Sequence, residues 1–135
     1  MIAATQLRLV LVTPETTLLD EPVKSLQFPL FDGQIGVLPG RTPMVGRLGA
    51  GELRLQTERG ESHYFIDGGF AQIKGSVVTL LTNRAIPAKD INLAAAEKSL
   101  QDVMAQKPTT DEGFAAKQAD LERVRGQITL RKRLH

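Results

Sequence analysis

The chain has 135 residues and a formal net charge of +2; 41% of its residues are hydrophobic, 24% are charged and 4% are aromatic. This length and composition predict a soluble protein with one domain and a small appendage, and no apolar run approaches the roughly 20 residues that span a bilayer. The absence of cysteine excludes disulfide frameworks, thiolate metal sites and cysteine nucleophiles, and it suits a cytoplasmic protein.

Short runs of alternating, strand-forming residues fill the first 88 residues. The first run, at 6–12, is too short and too interrupted by Arg8 to be a signal-peptide core. Turn formers separate the runs. A turn is expected at Gly49 and Gly51, and Gly68-Gly69 is expected to break one of the runs. The runs lie at 6–12, 18–19, 23–28, 44–48, 52–57, 64–67, 70–73 and 77–82. About eight short strands at this spacing predict an antiparallel sandwich or barrel over residues 1–88.

The apolar period changes to that of a helix after Pro87. Asp90 or Asn92 can cap the start of this helix, and Lys107-Pro108 ends it because a residue before proline is pushed out of the helical region. The apolar stripe consists of Leu93, Ala96, Leu100, Val103 and Met104.

A second helix is predicted to follow the break at Pro108. Thr109 and Glu112 have the spacing of a capping box. The expected apolar stripe is Phe114, Leu121, Val124 and Ile128. Two helices joined by a short polar loop predict an antiparallel α-helical hairpin at 89–135. The fold class is therefore an all-β N-terminal sandwich plus a C-terminal helical hairpin, an α+β arrangement overall.

Positive charge is concentrated at the C-terminal end of the chain. Residues 1–88 contain equal numbers of basic and acidic residues, whereas 121–135 contain five basic residues and one acidic residue, Glu122. Such a cluster is either a solvated helix end, where cations suit the helix dipole, or a surface for an acidic partner. The basic residues are Arg123, Arg125, Arg131, Lys132 and Arg133.

The residues that could carry catalysis or bind a metal are few and scattered. His63 and His135 have no second histidine or paired acid at ligand spacing, so both are expected to be surface residues. Asp20, Asp32 and Asp67 are expected at turns, where aspartate ordinarily bonds its own backbone. Neither a catalytic site nor a metal site is predicted.

Residues 31–43, F-D-G-Q-I-G-V-L-P-G-R-T-P, contain a dense set of turn formers. Gly33, Gly36, Pro39 and Gly40 predict two sharp corners joined by a short extended piece. The segment lacks the Lys-Ser/Thr of a phosphate loop, which argues against nucleotide hydrolysis. Its spacing alone fits a structural corner and a contact surface equally well.

The same segment resembles the G-E-(I/L)-G-(I/V)-x-P-G-H-x-P signature of the ε subunit of F-type ATP synthases. Similarity continues in the family's order with G-E-L-R-L at 51–55, F-I-D-G-G-F-A-Q-I at 65–73 and V-T-L-L-T-N-R-A at 78–85. The resemblance implies a non-catalytic subunit of the rotor, or central stalk, that couples ion-driven rotation to ATP synthesis. It implies a peripheral location at the cytoplasmic face of the plasma membrane, with membrane contact only through partners.

The resemblance also implies partner contacts for the sandwich. Asp32, Gly33 and Gln34 would meet the polar loops of the c-subunit ring; Gln34 stands where the family usually carries glutamate. Arg41, which stands where the family often carries histidine, would lie near the γ subunit. The expected γ-side apolar residues are Met44, Val45 and Leu48.

For the helical hairpin, the resemblance implies a regulatory role. In bacterial relatives the two helices can leave the sandwich and extend along γ, and basic residues then meet an acidic loop of the catalytic β subunit and block ATP hydrolysis. The residues expected in that role here are Arg123, Arg125, Arg131, Lys132 and Arg133. Since the hairpin is rich in alanine, it is expected to bury little area and to undock at low cost.

Some relatives bind ATP through an I-D-x-x-R-A motif at the start of the first hairpin helix. The matching stretch here is I-N-L-A-A-A at 91–96. Asn92 replaces the aspartate and Ala95 replaces the arginine that would pair with phosphate. We therefore expect no appreciable ATP binding through this motif, and no cofactor.

Two other function classes fit parts of the sequence. A free-standing β-sandwich could be a ligand-binding module with a concave polar site. The basic tail could bind nucleic acid in a strongly salt-dependent manner, although few aromatic residues and a neutral main body count against a nucleic-acid partner. The coupling ion, H⁺ or Na⁺, is left open by the sequence.

Overall fold

A computed structural model describes residues 7–39 and 43–134. Within these residues the chain forms eight strands, a 3-10 turn and two helices. The strands are β1 (Leu7–Val12), β2 (Thr17–Val23), β3 (Ser25–Leu30), β4 (Gly33–Val37), β5 (Met44–Thr57), β6 (Gly60–Lys74), β7 (Val77–Thr82) and β8 (Ala85–Pro87). The turn is Ala88–Asp90, and the helices are α1 (Leu93–Met104) and α2 (Asp111–Leu134). The predicted fold class, a β-sandwich followed by a helical hairpin, is confirmed.

The strands follow the order β2-β1-β7-β6-β5-β3-β4, with β8 paired to β6. Only β1 and β7 run parallel among the described pairs; the others are antiparallel. The partner of β6 changes along its length: residues 64–66 pair with β8 and residues 69–74 pair with β7. The long strands β5 and β6 therefore connect the two layers of the sandwich.

A glycine pair lies where β6 changes its partner. Gly68 and Gly69 have φ of 72° and 112°, and a Cβ at Gly69 would lie 1.8 Å from the backbone oxygen of Leu81. The predicted break between two strands is therefore wrong: the ladder with β5 continues past the glycines, which bend one continuous strand. The turn predicted at Gly49 and Gly51 is wrong for the same reason, because both residues lie within β5.

Side chains from alternate positions of both layers form the main core. Leu53 and Leu55, the face predicted from alternation, are 0% and 1% exposed. Burial of each such aliphatic side chain contributes roughly 1.5–3 kcal/mol. The core consists of Leu7, Leu9, Leu11, Val23, Leu26, Phe28, Val37, Leu48, Leu53, Leu55, Ile66, Ala71, Ile73, Val78 and Leu80.

The helix caps agree with the sequence at α1 and differ by one residue at α2. Asn92 Oδ1 accepts a hydrogen bond from Ala95 N at 3.0 Å, as one of the two predicted caps. Thr110, not Thr109, caps α2 through Gly113 N at 3.0 Å. This register places Asp111 and Glu112 in the first turn, where acidic side chains are favourable.

The apolar stripe of α2 differs from the predicted one at its N-terminal end. Leu121 and Val124 are buried as expected, and Leu130 is buried as well, but Phe114 is 59% exposed. Lys117 Nζ donates to the carbonyl oxygens of Met104 and Gln106 at 3.2 and 2.8 Å. Since Lys117 already faces the end of α1, Phe114 lies beyond it at the tip of the hairpin.

Within the described residues, no helix has both the length and the apolar character needed to cross a membrane.

Candidate functional site

The turn between β3 and β4 presents one group of predicted site residues to solvent. Asp32, Gly33 and Gln34 are all exposed, and Gly33 has φ of 142°, a value that favours glycine. β4 is an edge strand of the sheet, so this turn is open to a partner. Arg41 lies outside the described residues.

An exposed apolar patch covers the outer face of β5, β6 and β7. Phe70 pairs with Leu81 on β7 and with Arg47 on β5. Phe70 and Leu81 are 58% and 52% exposed, and Val45, two residues before Arg47, is 73% exposed. Phe31 extends the patch because the Arg47 guanidinium carbon lies 4.9 Å from the centre of its ring. We call Phe31, Val45, Phe70 and Leu81 the apolar patch.

The residues that the sequence singled out on this side differ in exposure. Val45 belongs to the apolar patch, Met44 is half-buried and Leu48 is only 4% exposed. Val45 and Arg47 face outward, so alternation turns Leu48 into the core, and its side chain is not available on this surface. Phe70 and Leu81 were not predicted from the sequence, although each occupies the outward position next to an inward residue, Ala71 and Leu80 respectively.

A shallow cavity of 560 Å³ opens beside the apolar patch. Its lining includes Val12, Pro14, Arg47, Phe70, Leu81 and Asn83. A protruding side chain of a partner could enter this cavity.

The helical hairpin packs on the sandwich around Phe65, which is 1% exposed. Phe65 and Ala88 contact Ile91 and Leu130, with Ile86 and Leu134 at the margin of this second cluster. α2 comes close because Gly126 lies above Phe65: a Cβ there would be 3.0 Å from Cε1 of the ring.

One end of this interface is an ion pair between α2 and β6. Arg123 Nε lies 2.7 Å from Asp67 Oδ2, and Arg123 Nη1 lies 2.7 Å from Asp120 Oδ1. The hydrogen bond with Asp120, together with that to Asp67, raises the pKa of Arg123 against the opposing effect of burial. The predicted location of Asp67 at a turn is wrong, because it lies within β6 and binds the hairpin.

The other end of the interface is a cluster of charged residues around Glu52 of β5. Arg133 Nη2 and His63 Nδ1 both contact Glu52 Oε2, at 2.6 and 2.5 Å. Arg54 Nη2 lies 3.5 Å from Glu52 Oε1, and His63 Nε2 lies 3.0 Å from Glu61 Oε1. His63 is therefore not the plain surface residue that the sequence predicted; its side chain is 14% exposed.

The ionised form of Glu52 is favoured by this cluster. Burial alone would raise its pKa, but hydrogen bonds from Arg133 and His63 and the charges of Arg133 and Arg54 outweigh that effect and lower the pKa from 4.5. The hydrogen bond with Glu52 in turn raises the pKa of Arg133. The two residues therefore stabilise each other's charged form.

The five basic residues predicted as a regulatory tail have different surroundings. Arg123 and Arg133 bind sandwich carboxylates, and Lys132 Nζ lies 3.8 Å from Glu97 of α1. Arg131 is half-buried, and its Nε has no hydrogen-bond partner within the described residues. Arg125 is exposed. Arg123 is half-buried and therefore does not fit the alternative interpretation as a solvated helix end, whereas Arg133 remains exposed although it pairs with Glu52.

The other two aspartates that the sequence singled out lie in different parts of the sandwich. Asp20, which the sequence placed at a turn, lies in β2 and pairs with Arg8 at 2.6 Å. Asp32 lies at the β3–β4 turn, as expected. Over 7–39 and 43–134, no group of three or more His, Asp or Glu side chains could hold a metal ion.

Comparison with known proteins identifies the family. Residues 6–88 match the model of the ATP synthase delta/epsilon chain β-sandwich domain. The ATP synthase epsilon chain of Rhodopirellula baltica is 47% identical over 122 residues, which cover 90% of this chain and 95% of the relative. The chain belongs to the ATP synthase delta/epsilon family. By this membership it is a non-catalytic subunit of ATP synthase.

Further relatives and structures agree with this family. The ATP synthase epsilon chain of Granulibacter bethesdensis is 37% identical over 107 residues, covering 78% of this chain and 79% of the relative. A chain in the Euglena gracilis mitochondrial ATP synthase, in a structure that includes the c-ring, superimposes with a TM-score of 0.86 at 27% identity. The match covers 100% of this chain and 85% of the Euglena chain.

A chain in the central stalk and c-ring structure of the Tetrahymena thermophila mitochondrial ATP synthase has the same fold. The TM-score is 0.76 at 13% identity, and the match covers 96% of this chain and 99% of that one. The fold is therefore shared at low sequence identity.

Proposed function

We propose that this epsilon-family chain works in the rotor of an ATP synthase, where its sandwich joins the γ subunit to the c ring. The observation that carries the proposal is the apolar patch. Val45, Phe70 and Leu81 stand on an outer sheet face where alternation ordinarily places polar residues, and Phe31 of the β3–β4 turn extends the patch. An exposed apolar cluster of this kind marks a protein interface. Its role is mechanical and requires no cofactor.

The γ subunit is assigned to the apolar patch. Phe70 and Leu81 are adjacent across two strands and supply the centre of the interface, with Arg47 held over Phe31 at its edge. Aromatic residues and arginine are the side chains most often found at the energetic centre of interfaces. Val45 belongs to this patch, half-buried Met44 precedes it in β5, and Leu48 supports the patch from within the core. Arg41, which lies outside the described residues, is assigned to γ from the family resemblance alone.

The c ring is assigned to the β3–β4 turn. Asp32, Gly33 and Gln34 are exposed at an edge of the sandwich, and two of them carry polar side chains suited to polar ring loops. With such contacts the chain would lie at the cytoplasmic face of the plasma membrane and reach the membrane only through the ring.

The helical hairpin is assigned to regulation of ATP hydrolysis through the catalytic β subunit. Arg123, Arg125, Arg131, Lys132 and Arg133 supply the positive surface for an acidic partner loop. Asn92 serves as a helix cap and Ala95 carries no charge, so ATP binding through 91–96 is not part of this mechanism. The low aromatic content and the neutral charge of residues 1–88 count against nucleic acid as the partner.

The γ assignment is tested by two matched substitutions of exposed phenylalanines. Phe70 is 58% exposed in the apolar patch and Phe114 is 59% exposed at the tip of the helical hairpin. We expect Phe70→Ser to weaken binding to the cognate γ subunit at least tenfold, a typical loss at an interface centre, and Phe114→Ser to leave it within about twofold. Calorimetry with isolated γ measures both; equal affinities would overturn the assignment.

The regulatory assignment is tested in the α/β/γ complex. Full-length chain is compared with a truncation after Ala88 for binding and for ATPase activity. Inhibition by the full chain and none by an equally bound truncation supports the hairpin as the inhibitor. Equal activity with both would overturn the inhibitory role while leaving the coupling role intact.

A further inference from the structure

The helical hairpin is tied to the sandwich at two separate points on α2. Arg123 pairs with Asp67 of β6, and Arg133 pairs with Glu52 of β5. The two arginines are ten positions apart, which corresponds to about 15 Å along a helix. The carboxylates are held in place by strands, and their side chains are only 24% and 18% exposed.

Both carboxylates are directed to the hairpin. Over residues 7–39 and 43–134, Asp67 has Arg123 as its one ion-pair partner. Glu52 receives Arg133 and His63 on one oxygen and Arg54 on the other. Partly buried carboxylates on the outer face of a sheet are unfavourable without such partners. Asp67 therefore depends on the docked hairpin for its ion pair, whereas Glu52 gains Arg133 in addition to its sandwich partners His63 and Arg54.

We propose that Asp67 and Glu52 form an internal latch that holds the docked hairpin by pairing with Arg123 and Arg133. In these pairs the two carboxylates take the place that the carboxylates of an acidic partner would have. The N–H groups of Arg123 and Arg133 that bind the sandwich are the groups that an external acidic surface would need. The docked hairpin and the partner-bound hairpin therefore exclude one another. This inference deepens the proposed function, because the regulatory role of these arginines rests on it.

The remaining interface is small enough for the latch to matter. The apolar contact with the sandwich consists mainly of Phe65 with Leu130 and Leu134. Arg131 Nε is buried in this region with no partner among the described residues, which is an unfavourable contribution to docking. Loss of the two ion pairs is therefore expected to shift the equilibrium from the docked to the undocked hairpin.

The latch is tested by a distance measurement on the full chain. Because the chain has no cysteine, spin labels can be placed at Glu58→Cys in the β5–β6 turn and Thr129→Cys on α2, both exposed. Pulsed electron paramagnetic resonance then resolves docked and undocked populations. We expect the combination Asp67→Asn with Glu52→Gln to raise the undocked-to-docked ratio by roughly fivefold for each substitution.

Matched controls separate the latch from a general charge effect. Asp20→Asn with Glu15→Gln removes the same charge from parts of the sandwich that do not contact the hairpin, and it should leave the ratio unchanged. In the wild-type chain about 1 M NaCl, where the Debye length is ~3 Å, should favour the undocked form. An interface held by apolar contacts alone would not loosen in salt. Exchange of the pair by Asp67→Arg with Arg123→Asp should restore docking.

The outcomes distinguish the latch from the proposed function. If neither the latch variants nor salt changes the docked population, the latch is overturned, whatever the ATPase result. If the variants release the hairpin and the α/β/γ complex becomes more strongly inhibited, both proposals are supported. If they release the hairpin and inhibition by the hairpin is absent in every variant, the latch stands and the inhibitory role is overturned.

Discussion

Gly126 of α2 lies directly over Phe65 of β6, and a Cβ at position 126 would be 3.0 Å from Cε1 of the ring. A glycine within a helix costs about 1 kcal/mol of helix stability relative to alanine. At position 126 the absence of a side chain lets the helix approach the sheet closely. The residue that allows close docking therefore lowers the intrinsic helix stability of α2.

Gly126→Leu should release the hairpin while making α2 a better helix. Overpacking against the buried Phe65 ring is expected to raise the undocked-to-docked ratio by roughly tenfold or more. Spin-label distances between positions 58 and 129 measure docking, and circular dichroism measures helix content. Gln118→Leu, at an exposed position on the same helix, is the control. Loss of helix content together with docking would contradict this explanation.

Tyr64 should report the same transition through its ionisation. Burial, followed by the charges of Glu21 and Asp90, raises the pKa of Tyr64 above 10.0, and Arg131 and Leu134 line the same cavity as this tyrosine. Release of the hairpin by Gly126→Leu should move the pKa back toward 10.0. Since the chain has one tyrosine and no tryptophan, ultraviolet absorbance resolves the titration. An unchanged pKa in a variant shown to be undocked would refute burial under the hairpin as the cause of the shift.

Docking stability should fall in acid because of Glu52. Its pKa is lowered from 4.5 in the docked chain, so its contribution is present above pH 4.5 and is lost as pH falls through the lower, docked-state pKa. The pairs are partly solvated, so this contribution is about 1 kcal/mol or less. Docked populations of wild-type and Glu52→Gln chains should differ at pH 7 and converge as the pH falls below the docked-state pKa of Glu52. Glu15→Gln is the control, and parallel profiles for wild type and Glu52→Gln would count against the assignment.

Gly69→Ala should be among the most destabilising substitutions of the sandwich. The new Cβ would lie 1.8 Å from the backbone oxygen of Leu81, at a φ of 112°, so the β6–β7 ladder must move. We expect a loss of roughly 3 kcal/mol or more in unfolding free energy. Gly75→Ala is the matched control, because Gly75 has φ of 61° with open space around it, and it should cost about 1–2 kcal/mol. Urea denaturation measures both; equal losses would show that backbone conformation alone decides the effect.

Local patterns in the sequence were sufficient for the architecture. Alternation at Leu53 and Leu55 and the helical stripe at Leu121 and Val124 report which face of each element is buried, because that periodicity is set by the geometry of one element. The cap at Asn92 is similarly local. The ordered motifs from 31 to 85 were sufficient for the family, since they occur in its order and spacing.

Long-range contacts were decided only by the tertiary structure. Asp67 and Arg123 are 56 positions apart in the chain, and the sequence contains nothing that pairs them rather than leaving both solvated. The same holds for Glu52 with Arg133 and for the half-buried His63. The direction of Leu48 into the core and of Phe70 away from it also depended on strand register. The periodicity of buried and exposed side chains is a property of each segment by itself. Ion pairs and the exposed patch form only after separate segments have packed in one register.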